Sequence, residues 1–195
     1  MRVLDVRGSA ALRMRFSPMG TTGWALNLEV DGQAFVLDGF TIAGLPFESL
    51  AYLGVYAATV TQSTNNPPLV RLDVEPGGWV LRPIHDPAAP LFRMRLDILA
   101  GDPWSQATLD QSPEIRISIA HDALATSVLE CIEAAQKMVV DEGAGHRLWL
   151  DFPQRAVRAM KAALELPRAA YPDDSIHELA PKTGAVFVET GEKSQ

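Results

Sequence analysis

Between His146 and Leu164 the sequence reads HRLWLDFPQRAVRAMKAAL, which brings together a histidine, a tryptophan, an aspartate and three arginines. A histidine oriented by an aspartate is the pairing that moves protons in general acid–base catalysis. The same residues have a plainer reading as an anchored helix start. Pro153 suits the first helical position, where its missing N–H costs nothing. Phe152 precedes a proline and is biased away from helical geometry. A helix is therefore expected from Pro153, burying Val157, Met160 and Leu164 and leaving Arg155, Arg158 and Lys161 in water. Leu148, Leu150 and Phe152 alternate as an extended lead-in, with Trp149 on the other side. His146 has no role in that scheme.

Other reactive residue types are scattered. His85, His121, His146 and His177 are far apart, without metal-ligand spacing, and Cys131 is the one cysteine, so neither a disulfide nor a cysteine-based zinc site can form within the chain. The His-Asp pairs at 85–86 and 121–122 are sequence neighbours, which rarely face one another. No serine lies in a nucleophile elbow, and no phosphate-binding glycine loop or dinucleotide fingerprint occurs. Cys131 stands one turn from Val128 and next to Ile132, a small apolar core position; Glu130 and Glu133 have the wrong sign to stabilise a thiolate. Trp104, in the loop GDPWSQ, either folds back on the core or meets a partner, and folding back is the favoured reading. Arg93 and Arg95, with Arg71 and Arg82, offer a basic strand face that could bind an anion, although solvated arginines on an open sheet face are the commoner case. No cofactor or metal is expected, and no catalytic residue is assigned.

The chain has 195 residues, 47% apolar and 21% charged, an ordinary globular composition. A single α+β domain is expected over residues 1–166, with a peripheral tail over 167–195 whose AVFV run is a candidate edge strand. The N-terminus is interrupted by Arg2, Asp5, Arg7, Arg13 and Arg15, unlike a signal peptide, and Leu50–Thr61 is too short to cross a bilayer, so a cytoplasmic location is expected. Residues 1–100 carry eight Lys/Arg against nine Asp/Glu and residues 101–195 carry nine against fifteen, so six of the seven excess negative charges lie in the second half. Such a surface argues against nucleic acid and can attract a basic protein, or can simply keep the chain soluble.

These residues must be positioned by mostly antiparallel strands in hairpins, packed by two or three helices, the longest in the C-terminal half. Trp24–Val30 alternates, Asp31-Gly32 makes a two-residue turn, and QAFVLDG returns; LRMRF pairs upstream across SPMGTTG. A helix is expected from Leu45 to about Thr59, on a stripe of Phe47, Leu50, Leu53 and Ala57. LVRLDVE and WVLRPI form a second hairpin. LFRMRLDIL follows, with Phe92, Met94, Leu96 and Ile98 inward, and then EIRISIA, with Ile115, Ile117 and Ile119 on one side. GDPWSQATLDQSP is expected to be a loop. Asp122 caps a helix to about Val140 that buries Leu124, Val128, Ile132, Ala135 and Val139, with Glu133 and Lys137 paired one turn apart.

GDPWSQ (Gly101 to Gln106), the helix Asp122 to Val140 and GHRLWLDFPQRAV (Gly145 to Val157), in this order of elements, resemble uncharacterised bacterial proteins encoded beside polymorphic toxins and regarded as immunity proteins. The family pattern has its histidine close to Phe-Pro, whereas Arg147 to Asp151 separate His146 from Phe152 here. The resemblance implies a non-catalytic binder that occludes a basic toxin domain, with Glu130, Glu133, Asp141, Glu142 and Trp104 as partner contacts. Two other classes stay open. A secretion chaperone or adaptor would hold an extended client segment, often as a homodimer. An enzyme would gather two or more of His85, His121, His146 and Asp151 in a deep pocket.

Overall fold

The computed structural model describes residues 1–6, 12–19, 23–41, 46–59, 67–74, 77–84, 93–141 and 153–165. Eight strands and four helices fall within them: β1 (Arg2–Asp5), β2 (Leu12–Met19), β3 (Gly23–Val30), β4 (Gln33–Thr41), α1 (Phe47–Thr59), β5 (Val70–Val74), β6 (Gly77–Ile84), β7 (Arg93–Ala100), α2 (Gln106–Leu109), β8 (Ile115–Ala120), α3 (His121–Asp141) and α4 (Gln154–Glu165). The fold is α+β, and its longest helix, α3, lies in the C-terminal half.

The strands divide into two sheets, β2-β3-β4 and β1-β8-β7-β6-β5. Every pairing is antiparallel except β1 with β8, which is parallel. The first hairpin forms as its alternation predicts: Trp24, Leu26, Leu28 and Val30 are buried, and Asp31 and Gly32 take the positive φ values, 48° and 78°, of a tight hairpin turn. β2 continues to Met19, so Ser17, Pro18 and Met19 are strand rather than the expected turn. β1 carries too short an alternation to stand out in sequence; it exists because β8 offers it an edge, with Arg2 N–H donating to Glu114 O and Val6 N–H to Ser118 O, both at 2.8 Å.

Both sheets and three helices contribute to one core, which runs from Leu12, Phe16 and Leu26 through Leu50 and Leu53 to Leu96, Ile117 and Ile132. Phe16 meets Phe47 edge-on at 5.3 Å between ring centroids. α1 is buried almost all round, which suits a helix sandwiched between others. Gly54, which weakens helix propensity on paper, is where α3 and α4 close in: a Cβ there would collide with Met160 and lie 2.8 Å from Val128 Cγ1. α3 also seals the edge strand β2, its Ser127 hydroxyl donating to Leu12 O at 2.7 Å.

Three boundaries differ from expectation. α3 starts at His121, so Asp122 sits inside the first turn and accepts the Ala123 N–H at 2.9 Å instead of capping from outside. α4 starts at Gln154; Pro153 precedes it, its carbonyl accepting the Val157 N–H at 3.0 Å. The loop after β7 contains α2. The expected tail strand, the lead-in before Pro153, His85, His146, His177, Glu142 and Asp151 lie outside the described residues. Among the described residues no helix is long and apolar enough to cross a membrane.

Candidate binding surface

The five-stranded sheet has an inner face that builds the core and an outer face that does not. Met94, Leu96 and Ile98 of β7 and Ile115, Ile117 and Ile119 of β8 point inward, all buried. The alternate residues, Arg93, Arg95, Asp97, Arg116 and Ser118, point outward, joined by Arg82 of β6 and Arg71 of β5. Val80 and Leu99, also on the outer side, are buried yet stand apart from the main core. The segment 101–114 covers this part of the face.

That segment is anchored along its length. Gly101 N–H donates to Gly78 O at 3.0 Å where it leaves β7, and Glu114 N–H returns to Ile98 O at 2.9 Å. Ser105 N–H closes a turn on Asp102 O at 3.1 Å, and Asp102 Oδ1 accepts the Trp104 N–H at 2.9 Å. Arg71 Nε donates to Pro103 O at 2.7 Å, Arg82 donates to Leu109 O, and Thr108 is buried.

The outcome of these restraints is an exposed tryptophan. Trp104 does not fold back on the core as favoured from the sequence: 57% of it is open to solvent. The anchored turn fixes its backbone, and the Arg71 guanidinium lies over its ring at 4.8 Å. Partial burial draws the Arg71 pKa down from its ordinary value, but an arginine keeps its charge at any physiological pH, so the cation–π contact persists. Trp104 thus stands exposed on a braced turn, its ring against the Arg71 guanidinium.

The acidic helix is organised differently from expectation. Glu130 is exposed, but Glu133 is paired with Lys161 of α4 rather than with Lys137 one turn away. The interhelical partner wins because α3 and α4 pack side by side. Asp141 closes α3, and its side chain is not among those described; Glu142 lies beyond the described residues. The structure therefore brings Glu130 and Glu133 onto one helix and places Trp104 on the outer face of the five-stranded sheet.

The arginines are not the solvated set expected. Asp97, fully buried, accepts hydrogen bonds from Arg116 Nε at 3.0 Å and Arg82 at 3.3 Å, and lies within ion-pair distance of Arg95 Nε at 3.2 Å. Arg93 is engaged by Asp5 and by the carbonyls of Val6 and Ser118, both at 2.7 Å, and donates to the Ser118 hydroxyl at 3.1 Å. The available signal was Asp97 itself, a lone acid amid arginines on a central strand.

Chemistry elsewhere is sparse. Cys131 is buried, and burial pushes its thiol up to about 12, outweighing the pull of a Phe16 backbone hydrogen bond and of Arg15. His121 is buried at the start of α3. An open cleft of about 720 Å³ lies where Met1, Arg2, Phe35, Val36, Trp79 and Glu114 converge, with Arg2 over the Phe35 ring at 5.8 Å. Among the described residues no three His, Cys, Asp or Glu side chains cluster as metal ligands would. These features define an α+β protein whose outer sheet face carries a braced tryptophan and a partly buried arginine cluster. No protein-family model, curated protein or solved structure matches the chain.

Proposed function

We propose that this is a non-catalytic, cytoplasmic binding protein that neutralises a cognate bacterial toxin by direct contact, as an immunity protein does. The observation that carries the reading is Trp104, 57% exposed, with its backbone N–H bonded to Asp102 and its ring against Arg71. An exposed tryptophan on a free loop would lose entropy on binding. One already fixed meets little of that cost, and tryptophan and arginine are the residue types that dominate interface energetics. Glu130 and Glu133 supply a second, electrostatic contact that steers a basic partner. The test is co-expression with a toxin domain encoded by a neighbouring gene, where the neighbourhood holds one. Trp104→Ala is expected to lose protection while the protein stays folded, and protection at the wild-type level would overturn the assignment. Charge reversal at Glu130, Glu133, Asp141 and Glu142 is expected to slow association, and unchanged kinetics would remove the acidic helix from the interface.

A second reading, a secretion chaperone or adaptor, is favoured by β1. Among the described residues this short strand pairs only with β8, and Val3 within it and Met1 just before it are 63% and 70% exposed. An extended client segment could pair there by strand addition. Binding of an unfolded leader peptide, but not of a folded toxin domain, would select this reading.

A further inference from the structure

The segment 101–114 covers the β5–β6 side of the outer sheet face and holds Arg82 through Leu109 O, and beside it, toward β7 and β8, the face is strongly basic. Arg116 stands opposite Asp97 across the β7–β8 pair, Arg82 stands opposite it across the β6–β7 pair, and Arg95 lies two residues before it on the same strand. Asp97 is the one carboxylate within ion-pair distance of these three guanidinium groups among the described residues. Three cations on one anion leave two positive charges uncompensated. Water screens them only in part, because the side chains of Arg82, Arg95 and Arg116 are 23%, 29% and 29% exposed. A partly desolvated surplus of this kind is unfavourable until a further anion balances it.

A second observation points the same way. The Nε atoms of Arg82 and Arg95 are buried and have no hydrogen-bond acceptor among the described residues. Arg95 Nε is close enough to Asp97 for charge attraction, but it is misaligned for a hydrogen bond. Buried N–H groups are nearly always paired, so these two call for an acceptor, which an ordered water or a bound anion can supply. Asp97 meanwhile orients the arginines from beneath, as a second layer of side chains does in a preorganised site.

We propose that Arg95 and Arg116, braced by Asp97, bind the phosphate group of a small anion through their solvent-exposed parts on the β7–β8 side of the outer sheet face. Two guanidinium forks rising from neighbouring strands offer donors from two directions. That arrangement suits a tetrahedral group with several acceptor oxygens better than a planar carboxylate, which one fork satisfies. The net charge of −7 provides no long-range attraction for an anion, so affinity must come from contact.

The test is a nuclear magnetic resonance titration of the full chain with inorganic phosphate and, separately, glycerol 3-phosphate, at ionic strength held constant with sodium chloride. Saturable shifts centred on the Arg95 and Arg116 Nε–H resonances are expected, with affinity at least tenfold weaker in Arg95→Gln. That variant leaves the contacts of Asp97 with Arg82 and Arg116 in place. Arg95→Lys, which keeps the charge but loses the fork, is expected to bind at least threefold more weakly and carries the test if Arg95→Gln does not fold. Whichever of the two ligands binds more tightly shows whether the site takes the free ion or a phosphate ester. Shifts that fail to saturate, that chloride alone reproduces, or that persist at full affinity in Arg95→Gln or Arg95→Lys would overturn the proposal. Trp104→Ala is expected to leave phosphate binding unchanged, which separates this site from toxin contact.

Discussion

Asp97 and Trp104 are opposite solutions to the same surface. Asp97 is a carboxylate with no solvent exposure, tolerated because three arginines surround it. Replacing it by asparagine keeps the shape and removes the charge, leaving three partly desolvated guanidinium groups to repel one another. Loss of one partner from a buried ion network costs about 3 kcal/mol, so urea unfolding of Asp97→Asn should show a clearly lower midpoint at unchanged slope. A midpoint within error of the wild type would mean that solvent already screens the cluster. Trp104, by contrast, is mostly in water, so Trp104→Ala should change stability little, and the same unfolding measurement checks this. Its cost should appear in partner affinity, at about 2 kcal/mol or roughly thirtyfold, the size of an interface hot spot.

At the scale of elements, the contact of α1 with α3 and α4 turns on Gly54. Alanine would favour an isolated helix by about 1 kcal/mol, but here the added methyl group meets Met160 and Val128. Overpacking a filled core costs about 1–3 kcal/mol, so Gly54→Ala should be net destabilising. Combined with Met160→Ala, it should cost less than the sum of the two single changes, because the methyl group then occupies vacated space; simple additivity in a double-mutant cycle would contradict this packing. The Glu133–Lys161 bridge between α3 and α4 is about half exposed on both sides. Glu133→Gln should therefore shift stability by less than about 0.5 kcal/mol. The hairpins and the long helix were legible in the sequence, because Leu26, Leu28, Met94, Leu96, Ile117 and Val128 fall at periods that only one burial pattern satisfies. β1 was not, because its stability comes from the edge of β8 rather than from its own four residues. The site was half legible. Trp104 was picked out as a loop aromatic, but its contact is with Arg71, 33 positions earlier in the chain, and no local pattern reports it. The arginines were visible as a strand face, yet the cover provided by 101–114 and the burial of Asp97 are tertiary facts.

For the molecule as a whole, one continuous core through both sheets and the helices makes Cys131 a reporter of global unfolding. Its thiol is raised in the fold to about 12 from an ordinary value of 9.0. The folded state therefore holds a proton that the unfolded chain releases. This contribution to stability is fully present below pH 9 and is lost as pH rises from there through about 12. A thiol reagent at pH 8 should modify Cys131 only as fast as the chain opens, and rapid labelling of the native protein would contradict the burial. The outer face of the five-stranded sheet carries both a braced tryptophan and a partly buried arginine cluster, while Glu130 and Glu133 lie on α3. The central claim is that Trp104 anchors a folded protein partner. Calorimetric titration of a toxin domain from a neighbouring gene into wild-type protein and into Trp104→Ala tests it most directly. The account predicts a one-to-one complex that the substitution weakens roughly thirtyfold; equal affinity for the two proteins, or no complex with either, would contradict it.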